Sequence, residues 1–180
     1  MIEPAKFSTA LEQWYDQYGR KLPWRETTDP YQIWVSEIML QQTQVPRVKK
    51  DFYPKFLAKF PTIESLAEAK WQDVYPVWRG LGFYSRGKNM LRAAQKIVSD
   101  FDGGFPHEQK ELESLPGIGI YTARAIRAFA WNEKVAAVDT NIQKIIEVLY
   151  PQEDIEIKAQ QLVDASTSGC VWNNAMMDLA

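Results

Sequence analysis

The chain has 180 residues, 46% of them hydrophobic, a formal net charge of −2 and a single cysteine, Cys170. That length and apolar fraction suffice for one domain or two small ones with a real core, and one cysteine excludes an intrachain disulfide and any multi-cysteine metal or iron–sulfur site within these residues. The small net charge and a pI of about 5.5 argue against wholesale electrostatic attraction to nucleic acid, while leaving local basic patches open.

Apolar spacings of three and four recur along the chain and two-residue alternation is nearly absent, so the sequence predicts an all-α fold. The first helix is expected over 6–18, in a stretch, "MIEPAKFSTALEQWYDQYGRK", that lacks the apolar core of a secretory signal. No segment approaches the roughly 18 apolar residues that cross a bilayer, so the expectation is a soluble cytoplasmic protein without a membrane partner, nucleoid-associated in a bacterial source.

The next helix is expected over 30–45, opened by Asp29 as cap, Pro30 at the first helical position and Gln32 three residues after the cap. It carries Glu37, whose neighbours at helical spacing are Ile33, Trp34 and Leu40, with Gln41 beside them. A glutamate on an apolar face is either a general acid whose charged form is disfavoured by burial or a surface glutamate snorkelling to water. Helices over 48–59, 63–69, 71–77 and 85–101 follow. They bring two basic clusters, Arg47, Lys49 and Lys50, then Arg79, Arg86, Lys88 and Arg92, which read as solvated helix faces or as phosphate contacts.

A short helix over 108–114 leads into "LPGIGIYTARAIRAF". Pro116, Gly117 and Gly119 cannot sit cheaply inside a helix, so 116–120 is expected as a tight hairpin before a helix over 120–131. Its N–H groups either grip a phosphate or simply turn a corner, and Arg124 and Arg127 on one face of the following helix favour a clamp on a duplex backbone. The apolar run 135–138 then delivers Asp139 as N-cap of a helix over 140–149, a position from which a carboxylate can also face a developing cation. Helices over 156–166 and 170–180 end the chain, the last with no stop signal, so an incomplete product of a longer gene is expected, with a clusterless minimal form as the alternative. Two separate carboxylates are the equipment of glycosidic bond cleavage. Among Trp24, Tyr31, Trp34, Phe83, Tyr84 and Tyr121 most are expected in the core, with a few available to stack on an extruded base.

Six blocks, "YGRKLPWR", "DPYQIWVSEIMLQQTQV", "GLGFYSRGKNM", "LPGIGIYTARAI", "VDTN" and "NNAMMDLA", occur in an order and spacing that resemble the catalytic part of the A/G-mismatch adenine DNA glycosylases, within the helix-hairpin-helix superfamily that includes endonuclease III. The resemblance covers nearly the whole chain. It implies a two-lobed all-α fold with the active-site cleft between the lobes: residues 29–136, a six-helix-barrel-like lobe containing the helix-hairpin-helix (about 108–131), and residues 1–28 plus 137–180, a second lobe made by both chain ends and cut before the iron–sulfur loop.

The resemblance further implies that Glu37 protonates the adenine ring, that Asp139 stabilises the oxocarbenium ion and helps water attack the sugar, and that Asn141 positions this machinery. Tyr121 stands where strand-nicking relatives carry a nucleophilic lysine, which implies a monofunctional enzyme. Arg20 and Trp24 would border the adenine pocket, Gln42, Phe83 and Tyr84 would wedge into the stack, and Gly117, Ile118 and Gly119, with Tyr121 and Thr122 behind them, would bind the backbone beside the flipped nucleotide. The implied partner is double-stranded DNA with adenine opposite 8-oxoguanine or guanine, bound by a monomer. No metal site is implied within the chain, because the family's 4Fe-4S cluster would need cysteines beyond residue 180.

The chain departs from the family pattern at Thr140, where "VDGN" is usual, and at Phe83, where the first tyrosine of "GYY" is usual. A thymine glycosylase acting on G/T mismatches shares the hairpin, the tyrosine and the aspartate, and a noncatalytic DNA clamp shares the hairpin. "QQTQV" after Glu37 favours the adenine-directed branch.

Overall fold

The computed structural model describes residues 2–180, and its regular structure among them is entirely helical. The helices are α1 (Pro4–Tyr18), α2 (Pro30–Leu40), α3 (Val45–Arg47), α4 (Tyr53–Lys59), α5 (Ile63–Ala67), α6 (Trp71–Trp78), α7 (Tyr84–Phe101), α8 (Gln109–Glu113), α9 (Ile120–Trp131), α10 (Thr140–Leu149), α11 (Ile155–Asp164) and α12 (Gly169–Leu179). A 3-10 turn covers Pro23–Arg25 and a π-helical stretch covers Val48–Phe52.

The helix expected over 30–45 stops at Leu40. Pro46 lacks an N–H and its ring would strike the carbonyl four residues earlier, so the chain must leave the helix before it. It does so through Gln42, in the left-handed region at φ 56°. Arg86 then takes up the carbonyls that α2 leaves open at its C-terminus.

The chain divides into two compact units, Leu22–Ala123 and the two ends, 1–21 with 124–180. Both boundaries fall earlier than 28/29 and 136/137, and local contacts explain the shift. Trp24, in the 3-10 turn, packs edge-on against Tyr53 at 5.3 Å between ring centroids, which draws residues 22–28 into the first unit. Arg124 pairs with Glu156 and Arg127 with Glu133, which draws the C-terminal half of α9 into the second.

The unit Leu22–Ala123 is organised around α2, which is buried nearly all round: Tyr31, Ile33, Trp34, Val35, Ile38 and Met39 are all core residues. Trp34 meets Phe105 edge-on, Phe56 meets Trp78, and the Tyr31 hydroxyl donates to the Phe60 carbonyl at 2.7 Å. Gly87 lets α7 close on α6, since a Cβ there would lie 2.9 Å from the Trp78 ring. In the unit of the chain ends, Leu11, Ile142, Ile146, Leu162, Trp172 and Met176 from α1, α10, α11 and α12 share one core. The Ser8 hydroxyl is buried there and donates to the Leu162 carbonyl at 2.7 Å.

Candidate active site

Glu37 is the eighth residue of α2, among buried neighbours, and is 7% exposed. It is buried rather than snorkelling, because α2 has no solvent face along this stretch: Ser36, Ile38 and Met39 are buried as well. Three features of the same unit converge near the end of α2. A pocket of about 110 Å³ is lined by Ile38 and Gln41 from that end, by Ser85, Arg86, Asn89 and Met90 from the start of α7, and by Pro116 and Gly117 of the hairpin.

The hairpin forms as expected. Gly117 takes φ 81°, Ile118 is buried and donates its N–H to the Leu115 carbonyl, and Gly119 is exposed, with open space where a Cβ would stand. Tyr121 lies in the first turn of α9 and is half-buried, while Thr122 is buried against the unit's interior. Phe83 and Tyr84 are 57% and 43% exposed, and Tyr84 contacts Tyr75 and Trp71 at 5.6 and 6.4 Å between ring centroids. Gln42 is exposed at the other left-handed tip. Trp24, by contrast, is a core side chain of this unit.

Asp139 belongs to the unit of the chain ends. It caps α10: its Oδ1 accepts from the N–H groups of Asn141 at 3.0 Å and Ile142 at 2.8 Å, and its Oδ2 accepts from Asn141 Nδ2 at 3.2 Å. Asn141 therefore orients the carboxylate with side chain and backbone together. The segment that delivers Asp139, residues 132–138, has no regular secondary structure, and it finds its hydrogen bonds in Gln160, which donates to the Lys134 carbonyl at 2.8 Å and accepts from Ala136 N–H at 3.3 Å, and in Asn173. The Asn173 Oδ1 accepts from Ala137 N–H at 2.8 Å, while its Nδ2 donates to the Val135 carbonyl at 2.9 Å and the Gly169 carbonyl at 2.8 Å. Upstream, Asn132 ends α9 at φ 54° and accepts from the Ser168 hydroxyl and Cys170 N–H with its side chain. Arg20 is held by Asp178, whose carboxylate accepts from its backbone N–H at 2.7 Å and from its Nε at 2.6 Å.

Four of the basic residues read as possible phosphate contacts, Arg47, Arg86, Arg124 and Arg127, are otherwise engaged, Arg47 with the Gly80 carbonyl at 2.7 Å. Arg124 and Arg127 pair with Glu156 and Glu133, so the cationic face expected on α9 is neutralised. Arg86 is turned inward onto backbone carbonyls, and burial lowers its pKa from the ordinary arginine value. Arg79, Lys88 and Arg92 remain exposed, with the Lys88 ammonium over the Trp71 ring at 5.6 Å. The roles of Arg86 and Asn173 had no signal in the sequence beyond their lying in quoted blocks. The one cysteine, Cys170, has its Sγ 3.5 Å from Asn174 Nδ2.

The fold is all-helical, with a glycine hairpin before α9, a buried glutamate in α2 and an aspartate capping α10. The chain belongs to the HhH-GPD superfamily of base excision DNA repair proteins, whose family model matches residues 35–167. It is 37% identical to the human adenine DNA glycosylase over 199 aligned residues, which cover 99% of this chain and 36% of the human protein. Among solved structures it is similar to a thermostable thymine-DNA glycosylase, at 28% identity and a TM-score of 0.87 over 98% of this chain and 85% of that one. An endonuclease III trapped as a covalent intermediate with DNA shares the fold at a TM-score of 0.79 and 16% identity, over 100% of this chain and 87% of that one. The chain spans about a third to a half of the length of the curated adenine DNA glycosylases it matches.

Proposed function

We propose that the chain is the catalytic part of an adenine-specific DNA glycosylase, which hydrolyses the N-glycosidic bond of adenine opposite 8-oxoguanine or guanine in duplex DNA. The burial of Glu37 carries this reading. A purine leaves readily once a ring nitrogen is protonated, and a carboxyl shielded from water is suited to hold the proton and deliver it as the bond to C1′ breaks. Thymine offers no comparably basic ring nitrogen, so a buried acid serves adenine better.

In this mechanism Glu37 gives its proton to the adenine ring while the C1′–N9 electron pair leaves with the base. Asp139, held by Asn141, faces the positive charge that develops on the sugar, and a water adds to C1′ with loss of a proton to the carboxylate. With tyrosine at 121 there is no amine to attack C1′, so the product is free adenine and an abasic site on an intact strand. The hairpin N–H groups of Gly117 and Gly119 take a phosphate oxygen, and Gln42, Phe83 and Tyr84 fill the space the base leaves.

The similarity to the thymine-DNA glycosylase supports a second reading, removal of thymine opposite guanine. Duplexes with adenine opposite 8-oxoguanine, adenine opposite guanine, and thymine opposite guanine, each treated with alkali after incubation, separate the two. Scission of both adenine duplexes is expected. Scission of the thymine duplex alone would replace the adenine reading, and none at all would leave a DNA-binding module.

A further inference from the structure

We propose that Arg86 is a positioning residue for base extrusion, holding the two wedge tips Gln42 and Phe83 in place from behind; this rests on the reading that the protein flips adenine out of a duplex. Gln42 and Phe83 are both non-glycine residues in the left-handed region, at φ 56° and φ 45°. Such backbone persists only where its surroundings over-determine it. Neither tip is held by burial of its own side chain, since Gln42 is exposed and Phe83 is 57% exposed.

One guanidinium reaches both. Arg86 Nη1 donates to the Ile38 carbonyl at 2.8 Å and to the carbonyl of Gln41, the peptide unit that enters Gln42. Its Nη2 donates to the Leu81 carbonyl at 3.3 Å, and its carbon lies 5.3 Å from the centre of the Phe83 ring and 6.0 Å from that of Trp78. On the far side of the same loop Arg47 Nη2 donates to the Gly80 carbonyl at 2.7 Å. Only a planar fork can serve the end of α2 and the 80–83 loop simultaneously; a lysine ammonium is a single point and reaches one of them. Because both of its Nη atoms are spent on backbone carbonyls, Arg86 fixes the spacing between the tips rather than gripping a phosphate.

The test compares wild type, Arg86→Lys and Arg86→Ala under single turnover on two duplexes: adenine opposite guanine, which must be unpaired and wedged, and adenine opposite a tetrahydrofuran abasic analogue, which has no partner base to displace. Melting curves check folding, and a 2-aminopurine beside the adenine reports extrusion by its fluorescence rise. Arg86→Lys is expected to slow release from the first duplex about tenfold or more and the second less than about threefold. The fluorescence rise should shrink, the pH profile of the residual rate should stay in place, and ethylguanidinium should partly restore Arg86→Ala. Equal slowing on both duplexes, no slowing on either, or failure of both variants to fold would overturn the proposal. A wild-type protein that releases adenine from neither duplex would instead remove the functional reading beneath it.

Discussion

Replacing Asn173 by alanine removes the support of the segment that presents Asp139. Asn173 is fully buried, and its amide makes the three bonds to Ala137 N–H, the Val135 carbonyl and the Gly169 carbonyl. Ala137 is itself fully buried, so its N–H is left without water, at a cost of about 1–3 kcal/mol. Each of the two carbonyl bonds contributes about 1 kcal/mol net, giving a loss of roughly 3–5 kcal/mol against a total stability of about 5–15 kcal/mol for a domain. Urea unfolding followed by circular dichroism should show the midpoint falling with an unchanged m-value. Base release should fall further than stability alone requires, on the order of tenfold to a hundredfold, since small displacements of a catalytic group are costly. Asn174→Ala is the control, because its amide has only a weak contact to the Cys170 sulfur at 3.5 Å. A loss below about 1 kcal/mol, or one no larger than the control's, would refute the assignment.

Asp139→Asn retains a good cap residue and should change stability by less than about 1 kcal/mol, yet it should slow base release at least about a hundredfold; near-wild-type turnover would remove Asp139 from the mechanism. Gly119→Ala should leave the melting temperature unchanged, because its Cβ meets nothing within 4 Å, and should weaken duplex binding in filter-binding titrations; unchanged binding would mean the hairpin does not touch the backbone. Gly117→Ala should destabilise the fold by about 1–3 kcal/mol, since φ is 81° and the new Cβ would lie 2.9 Å from that of Asn89. The hydroxyls of Tyr31 and Tyr53 are pushed well above the ordinary tyrosine value by burial and by the Asp29 carboxylate. Their contribution to stability is complete below about pH 10, declines by up to about 1.4 kcal/mol per pH unit per group as the unfolded chain ionises above it, and is lost once pH passes the folded values. Tyrosinate absorbance at alkaline pH checks this, and two tyrosines titrating at the ordinary value in the folded protein would contradict it.

Helix positions were legible because three-and-four spacing, caps and prolines all act locally. Asp29 is an example: its Oδ1 accepts from Tyr31 N–H at 2.9 Å and its Oδ2 from Gln32 Nε2 at 3.0 Å, so the cap residue and its partner do what adjacent letters allow. The hairpin and Asp139 were legible for the same reason. What escaped was decided by distant groups. Arg86 looks like any cation in "YSRGKN" until the end of α2, more than forty residues earlier, is folded against it. Asn173 looks like a helix-surface amide until residues 135–137 arrive beside α12. The resemblance alone implies Trp24 at the border of the adenine pocket, and the 3-10 turn that buries it against Tyr53 is too short for periodicity to reveal.

The irregular stretch from Asn132 to Asp139 also sets a rule for insertions and deletions. It is pinned at its start by the Asn132 side chain on the first turn of α12, in its middle by Asn173, and at its end by the α10 cap. A Cβ at Gly169 would lie 1.9 Å from the Glu133 carbonyl oxygen, so the stretch lies against the first turn of α12 and cannot move closer to it. Residue types along it can change, but its length cannot: one residue more or fewer would turn the alternate peptide groups away from Asn173 and carry Asp139 off its helix. Homologous chains sharing this design should therefore show gaps in the turn after α7, at 102–108, and none between 132 and 139.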